Sequence, residues 1–141
     1  YRDRPFEANA AAARFFNDLL LATGERSDRA IAERTLALIS PLAGRYGVAA
    51  AEFALAVEEF FEPPLRLVIV GPAEAATPLR RAALALAEPD RRVWSLEQGG
   101  RLGALNFPAR ETPAAFACGS RACSQPVTEP ERLAEAVAAV S

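Results

Sequence analysis

The sequence contains no histidine, no lysine and no methionine. Histidine is the commonest general base and the commonest metal ligand, so its absence argues against Ser-His-Asp and Cys-His hydrolases and against a self-contained zinc enzyme. A Schiff base on lysine is excluded as well. The lack of methionine leads us to expect that these 141 residues belong to a longer translated chain.

Clustered positive charge and long apolar runs are also missing. The basic residues are all arginines spread along the chain, and the formal net charge is −2. A nucleic-acid surface would show a basic patch, and a membrane span needs about 20 consecutive apolar residues. The polar start of the chain does not have a signal-peptide pattern. We therefore expect no nucleic-acid partner, no membrane partner and a cytoplasmic location.

The first 62 residues are predicted to be helical. Apolar residues recur at helical spacing from Pro5 to Thr23, in a second stretch that Pro41 should end, and in a third after Gly47. The pair Pro63-Pro64 stops helical structure and marks the main boundary. The predicted segments are a helical one, residues 1–62, and a small α/β one, residues 65–141.

The second half has a different periodicity. Residues 65–71, 91–97 and 114–118 are rich in β-branched and apolar residues and are predicted to be strands. A helix capped by Thr77 lies between the first two, and a last helix follows Thr128. Residues 98–112 are predicted to be a loop. The expected fold class is therefore α/β: a helical N-terminal half packed on a small parallel three-stranded sheet, with a βαβ crossover and a C-terminal helix.

The only two cysteines, Cys118 and Cys123, are the strongest candidates for chemistry. The intervening loop is short, and Gly119 can adopt the positive φ that would bring the sulfurs together. Arg121 and the following helix terminus would lower the pKa of a thiol. A metal site would need two further ligands, which without histidine would be carboxylates or come from another chain. Structural thiols or an incidental disulfide are favoured, with a redox pair and then a metal site as the alternatives.

Two other features are weaker candidates for sites. The turn after Val70 leads into a helix N-terminus, which attracts anions, but it lacks the glycine pattern and the lysine of nucleotide-binding loops. The acidic cluster Glu58, Glu59 and Glu62 has the spacing of a solvated helix face, and we expect that role for it. We expect no cofactor and no metal.

The C-terminal stretch "AAFACGSRACSQPVTEPERLAEAV" resembles the end of a family of thioredoxin-domain-containing proteins related to YyaL and spermatogenesis-associated protein 20. The segment "RLVIVGPAEAATPLRRAALALAEPDRRV" is similar to that family's strand–helix–strand segment, and "RPFEANAAAARFFNDLLLATGE" to its "PSGNS" helix. The resemblance covers nearly the whole chain, and its most specific part is the Cys-x4-Cys-x2-Pro tail. Of the polar "PSGNS" core only Asn9 is kept.

The resemblance implies an N-terminal thioredoxin-like domain and a helical barrel like that of N-acylglucosamine 2-epimerases, with this chain as the last barrel helices and a closing α/β segment. The partner would be the rest of that parent chain. Carried over residue by residue, it supports Cys118, Cys123 and Pro126 as tail residues and Asn9 as a pocket candidate. It implies a non-catalytic segment that completes the barrel. The alternatives are a redox accessory through the cysteine pair and a small ligand-binding α/β module.

Overall fold

The computed structural model describes residues 5–88 and 90–140. The chain divides into two compact units with separate clusters of buried side chains. One unit is formed by the helical residues up to Pro63 together with Leu102–Ala104, and the other by Pro64–Arg101 and the residues from Leu105 onwards. The mixed α/β fold class is confirmed, while the packing of the helical half on the sheet stays a prediction.

The helical unit contains three α-helices: α1 (Phe6–Thr23), α2 (Arg26–Ile39) and α3 (Ala51–Phe61). Gly24, with φ 75°, ends α1 in the left-handed conformation that glycine adopts at low cost. As predicted, α2 ends before Pro41, and two short 3₁₀ turns then lead to α3. Helix α1 packs against both α2 and α3. The side chains buried between these helices are mainly alanines and phenylalanines, including Phe6, Ala10, Ala13, Ala32, Ala56 and Phe60.

One buried ion pair joins α1 to α3. Arg14 donates from Nε to both carboxylate oxygens of Glu59, at 3.1 and 3.0 Å, and from Nη2 to Oε1 at 2.7 Å. Its Nη1 donates to Glu52 at 2.8 Å. These bonds, with that to Glu59 the strongest, raise the pKa of Arg14 above its usual value. The expectation of a solvated face is therefore wrong for Glu59, because a guanidinium compensates its buried charge.

The α/β unit contains the three predicted strands, β1 (Leu65–Val70), β2 (Arg91–Leu96) and β5 (Ala114–Cys118), in the order β2-β1-β5. β1 and β2 are parallel and are connected through α4 (Thr77–Ala85), as predicted. β5 is antiparallel to β1, so the prediction of an all-parallel sheet is wrong in this strand. Since β2 ends beside Val70 and β5 begins there, the chain enters β5 without a second crossover.

The segment predicted to be a loop contains a short β-hairpin, β3 (Gly100–Leu102) and β4 (Leu105–Phe107). Its strands are only three residues long, and three glycines at or beside them have positive φ, so the polar, glycine-rich composition concealed it. Leu102 and Phe107 are nevertheless buried, and the Phe107 ring packs edge-on against Phe116 of β5 at 5.2 Å. These apolar contacts stabilise a hairpin where a loop was predicted.

The two faces of the sheet are different. Leu67 and Ile69 of β1, with Ala115 and Ala117 of β5, face the buried side chains of α4 and of the final helix α5 (Leu133–Ala138). The opposite face carries the alternate residues of each strand, because side-chain direction alternates along a strand. Three rows of side chains therefore cross this second face: Arg92, Arg66 and Cys118; Trp94, Val68 and Phe116; Leu96, Val70 and Ala114.

Candidate functional site

Cys118 and Cys123 form a disulfide bond, with their Cα atoms 3.9 Å apart. Cys118 is the last residue of β5 and is completely buried, whereas Cys123 is exposed. The two residues face each other as an antiparallel pair. The bond therefore joins one sulfur atom in the protein interior to a residue that solvent reaches. A thiol from outside would meet the residue Cys123 first.

The disulfide closes a tight hairpin at the end of β5. Gly119 donates its backbone N–H to the carbonyl oxygen of Ala122 at 2.9 Å, and Ser124 donates to that of Ala117 at 2.7 Å. Further along, Ala115 and Val127 exchange two backbone hydrogen bonds at 2.8 and 2.9 Å. The segment after the turn thus lies along β5 as an irregular edge of the sheet. Backbone pairing on both sides of the cysteines holds the two residues opposite each other.

Gly119 has a different role from the one predicted. Its φ is not positive, so the turn does not depend on left-handed backbone at this position. A Cβ atom placed on Gly119 would collide with the carbonyl oxygen of Val140, just after the end of α5. Glycine is required there because the backbones approach closely. The carbonyl oxygen of Gly119 also accepts a hydrogen bond from Nη2 of Arg66 at 3.1 Å.

An open groove of about 320 Å³ has Ser124, the residue that follows Cys123, among its lining residues. Residues 124–129 form one wall and α5 with the turn before it forms the other, and Pro126 is one of the lining residues. Pro126 is exposed in the edge segment, where its missing N–H costs no sheet hydrogen bond. Charges of both signs line this groove, from Glu129, Arg132 and Glu135.

The other candidate residues lie in less specific surroundings. Arg121 is exposed in the hairpin turn. Asn9 lies in the first turns of α1, where its amide donates to the carbonyl oxygen of Pro5 at 2.8 Å. Asn17, two turns further along the same helix, is buried and donates to the carbonyl oxygen of Ala56 in α3 at 2.9 Å. Asn17 therefore joins α1 to α3 in addition to Arg14, and the sequence pattern did not single it out.

The turn after Val70 has few free donors for an anion. The predicted cap, Thr77, is the first residue of α4, and the N-cap position is Ala76. The backbone N–H groups of Ala76 and Thr77 donate to the carbonyl oxygens of Pro72 and Glu74 at 2.9 and 3.2 Å. An anion at this helix terminus would have to replace these bonds. The ligand-binding module has no support from this geometry.

Within residues 5–88 and 90–140, no group of three or more Cys, Asp or Glu side chains converges in a way that would hold a metal ion. None of the helices in that part of the chain has both the length and the apolarity that crossing a membrane requires. Comparison with family models, curated proteins and solved structures finds no match for this chain. The residues themselves, and the resemblance in the tail, are the basis for the functional proposals.

Two features of the structure were not found from the sequence. Arg66, a single arginine in an otherwise apolar strand, lies directly opposite Cys118. An apolar groove of about 450 Å³ runs between α2 and α3. The arginine within "LRLVIV" indicates an interaction partner for Arg66 already in the sequence, since a charged residue inside a buried strand is rare without one. The groove depends on helix packing and leaves no local sequence signal.

Proposed function

We propose that this chain is a non-catalytic C-terminal segment of a thioredoxin-domain-containing protein, in which its helices complete a larger helical barrel. The observation that carries the proposal is the apolar groove between α2 and α3. The partner is an amphipathic helix from the rest of the same parent chain. The resemblance of the tail, residues 114–137, to the end of that protein family supports this choice of partner.

The groove has the composition of a helix-binding surface. Most of its lining side chains are apolar, namely Leu36, Ala37, Phe53, Val57, Phe60 and Phe61. Arg29 and Glu33 add one charge of each sign, and the guanidinium of Arg29 lies 4.3 Å from the centre of the Phe60 ring. A largely apolar lining with a few charges accommodates the apolar face of a helix.

The helical unit also exposes several large apolar side chains. Phe61 is 72% exposed and Val48 is 93% exposed, and Phe15, Leu38 and Tyr46 of the helical unit are exposed as well. In the α/β unit, Leu84 is the one large apolar side chain among the described residues with comparable exposure. The concentration of such side chains on one unit favours a surface that a partner covers.

The test uses the chain by itself, with its groove unfilled. We expect a monomer that binds an apolar fluorescent dye, and we expect Phe61→Ser to weaken dye binding because it removes an aromatic side chain from the lining of the groove. Leu84→Ser, a matched change on the α/β unit, should leave dye binding unchanged. Sedimentation velocity monitors the oligomeric state in parallel.

Three results would contradict the proposal. A stable dimer that Phe61→Ser dissociates would mean that a second copy of this chain occupies the groove. Turnover of a sugar or a disulfide substrate by the chain alone would show that the segment is itself catalytic. Equal effects of Phe61→Ser and Leu84→Ser on dye binding would also contradict it, because the dye would then not bind specifically in the groove.

A second function is supported by a different observation, the exposure of Cys123 at one end of the disulfide. We propose that the pair exchanges with a dithiol of the thioredoxin class in the parent protein, as a redox accessory. Dithiothreitol should reduce the bond in the folded protein without denaturant, since the attacked residue is accessible. A bond that is reduced only after unfolding would contradict exchange.

A further inference from the structure

Arg66 and Cys118 are direct neighbours on the second face of the sheet. They are partners in the antiparallel register of β1 and β5, so their side chains project from the same face. In such a pair the Cβ atoms are about 5 Å apart, within reach of a long side chain. The hydrogen bond from Nη2 of Arg66 to the carbonyl oxygen of Gly119 places the guanidinium at the residue that follows Cys118.

The guanidinium of Arg66 has one N–H donor that makes no hydrogen bond to the described residues. Nε of Arg66 is buried and has no hydrogen-bond partner among the described residues. Burial lowers the pKa of Arg66, yet a guanidinium remains charged at physiological pH. A half-buried cation with a buried, unsatisfied N–H group provides a site for a negative charge that forms nearby.

The charges around Cys118 favour an anion there. Arg92 of β2 occupies the same row as Arg66, one strand further from Cys118. No acidic residue lies in the row formed by Arg92, Arg66 and Cys118. Without such cations, a thiolate at a completely buried cysteine would be strongly disfavoured, because burial penalises the charged form.

We propose that Arg66 stabilises Cys118 as the leaving thiolate when an external dithiol attacks the disulfide at Cys123. This inference rests on the exchange function proposed above. It gives the two cysteines different roles: Cys123 forms the mixed disulfide, and Cys118 carries the released charge. It also assigns a role to an arginine whose position in a buried strand is otherwise unfavourable.

The step conserves atoms and electrons. The attacking thiolate forms a bond to Sγ of Cys123, the Cys118–Cys123 bond breaks, and its electron pair goes to Sγ of Cys118. The second thiol of the dithiol loses its proton to solvent. It then attacks the other sulfur of the same dithiol, which is bonded to Cys123 in the mixed disulfide. Cys123 then leaves as a thiolate and is protonated by water. The dithiol becomes a disulfide, and the cysteine pair gains two electrons.

The experiment measures the rate at which dithiothreitol reduces the folded protein. Arg66→Met keeps a long side chain and removes the charge, and we expect it to slow reduction on the order of fivefold because the leaving thiolate is less stable. Arg66→Lys, which retains a cation, should recover most of the rate. Arg121→Met, a nearby exposed arginine, should change the rate by less than about twofold because solvent screens its charge.

A second measurement does not depend on exchange. In the Cys123→Ser protein, Cys118 is a single thiol, and its ultraviolet thiolate absorbance at neutral pH reports the ionised fraction. Adding Arg66→Met should lower the ionised fraction of the Cys118 thiol by up to about tenfold. Circular dichroism verifies that each variant is folded.

The outcomes separate this inference from the proposed exchange. If wild-type protein is reduced and Arg66→Met is reduced equally fast, exchange stands and the role of Arg66 is wrong. If the wild-type bond resists dithiothreitol, exchange is contradicted, and the leaving-group role is overturned with it. In that case the measurement on the Cys123→Ser protein decides whether Arg66 stabilises an anion at Cys118. If adding Arg66→Met leaves the thiolate fraction unchanged, this stabilisation is overturned too.

Discussion

The ion pair between Arg14 and Glu59 shows how a single residue can determine the packing of two helices. The Glu59 side chain is only 2% exposed, so its charge is separated from water and depends on the guanidinium from α1. The Glu52 side chain, which shares the same arginine, is 41% exposed. One guanidinium thus makes one buried and one partly solvated ion pair, and the two should contribute differently to stability.

We expect Arg14→Met to lower the free energy of unfolding by about 3 kcal/mol, because it removes the guanidinium that holds a buried carboxylate. Glu52→Gln should cost less than about 1 kcal/mol, since water already screens that pair. Urea unfolding followed by circular dichroism measures both variants. Equal losses for the two substitutions would show that burial of Glu59 does not control this interaction.

The same residues show the limit of sequence reasoning at this scale. Glu58, Glu59 and Glu62 are alike in the sequence, but Glu58 and Glu62 are exposed whereas Glu59 is buried. What distinguishes Glu59 is Arg14, which lies 45 positions away in the chain. A local pattern does not contain that partner. Burial of charge is therefore predictable only once the helix packing is known.

At the scale of elements, glycine controls a close approach within the helical unit. Gly103 has φ 59°, and its N–H donates to the carbonyl oxygen of Ala22, near the end of α1, at 2.9 Å. A Cβ on Gly103 would lie 2.6 Å from the carbonyl oxygen of Leu21. Both the left-handed backbone and the lack of space require glycine here.

Gly103→Ala should therefore lower the free energy of unfolding by about 2–4 kcal/mol, from left-handed strain plus the contact with the backbone. Gly44 is the control, because its φ is ordinary and no heavy atom of the described residues lies within 4 Å of an added Cβ. Gly44→Ala should be neutral or stabilising by up to about 1 kcal/mol. Thermal and urea unfolding compare the two, and a stable Gly103→Ala protein would contradict the close approach.

Elements with a strong period were predictable from the sequence, and those set by tertiary contacts were not. The helical spacing of apolar residues predicted α1, and the run of β-branched residues predicted β1. The direction of β5 depends on whether the chain enters it beside the first or the last residue of β1. A five-residue apolar strand does not reveal this. The hairpin β3–β4 is too short for alternation to be detected against its glycines.

The candidate site was predictable in part. Cys118 and Cys123 could be named because they are the only cysteines, and a disulfide was among the expected states. The unequal exposure of the two residues follows from β5 ending at Cys118 and the chain turning outward after it. The pairing with Arg66 requires the strand register, which the sequence pattern does not specify.

At the scale of the whole molecule, each unit has a feature that an isolated domain would not require. The helical unit has an open apolar groove lined by residues of α2 and α3. The α/β unit has a disulfide whose outer residue is exposed. Both features are accounted for if the chain works within a larger protein that supplies a helix to the first and a dithiol to the second. That membership is the central claim.

The most direct measurement of this claim is the complete reading frame that encodes the chain, determined by sequencing upstream of residue 1. We expect a continuous frame encoding a helical-barrel region and, before it, a thioredoxin-like domain with its own cysteine motif. A start codon immediately before residue 1, with no such regions upstream, would contradict it.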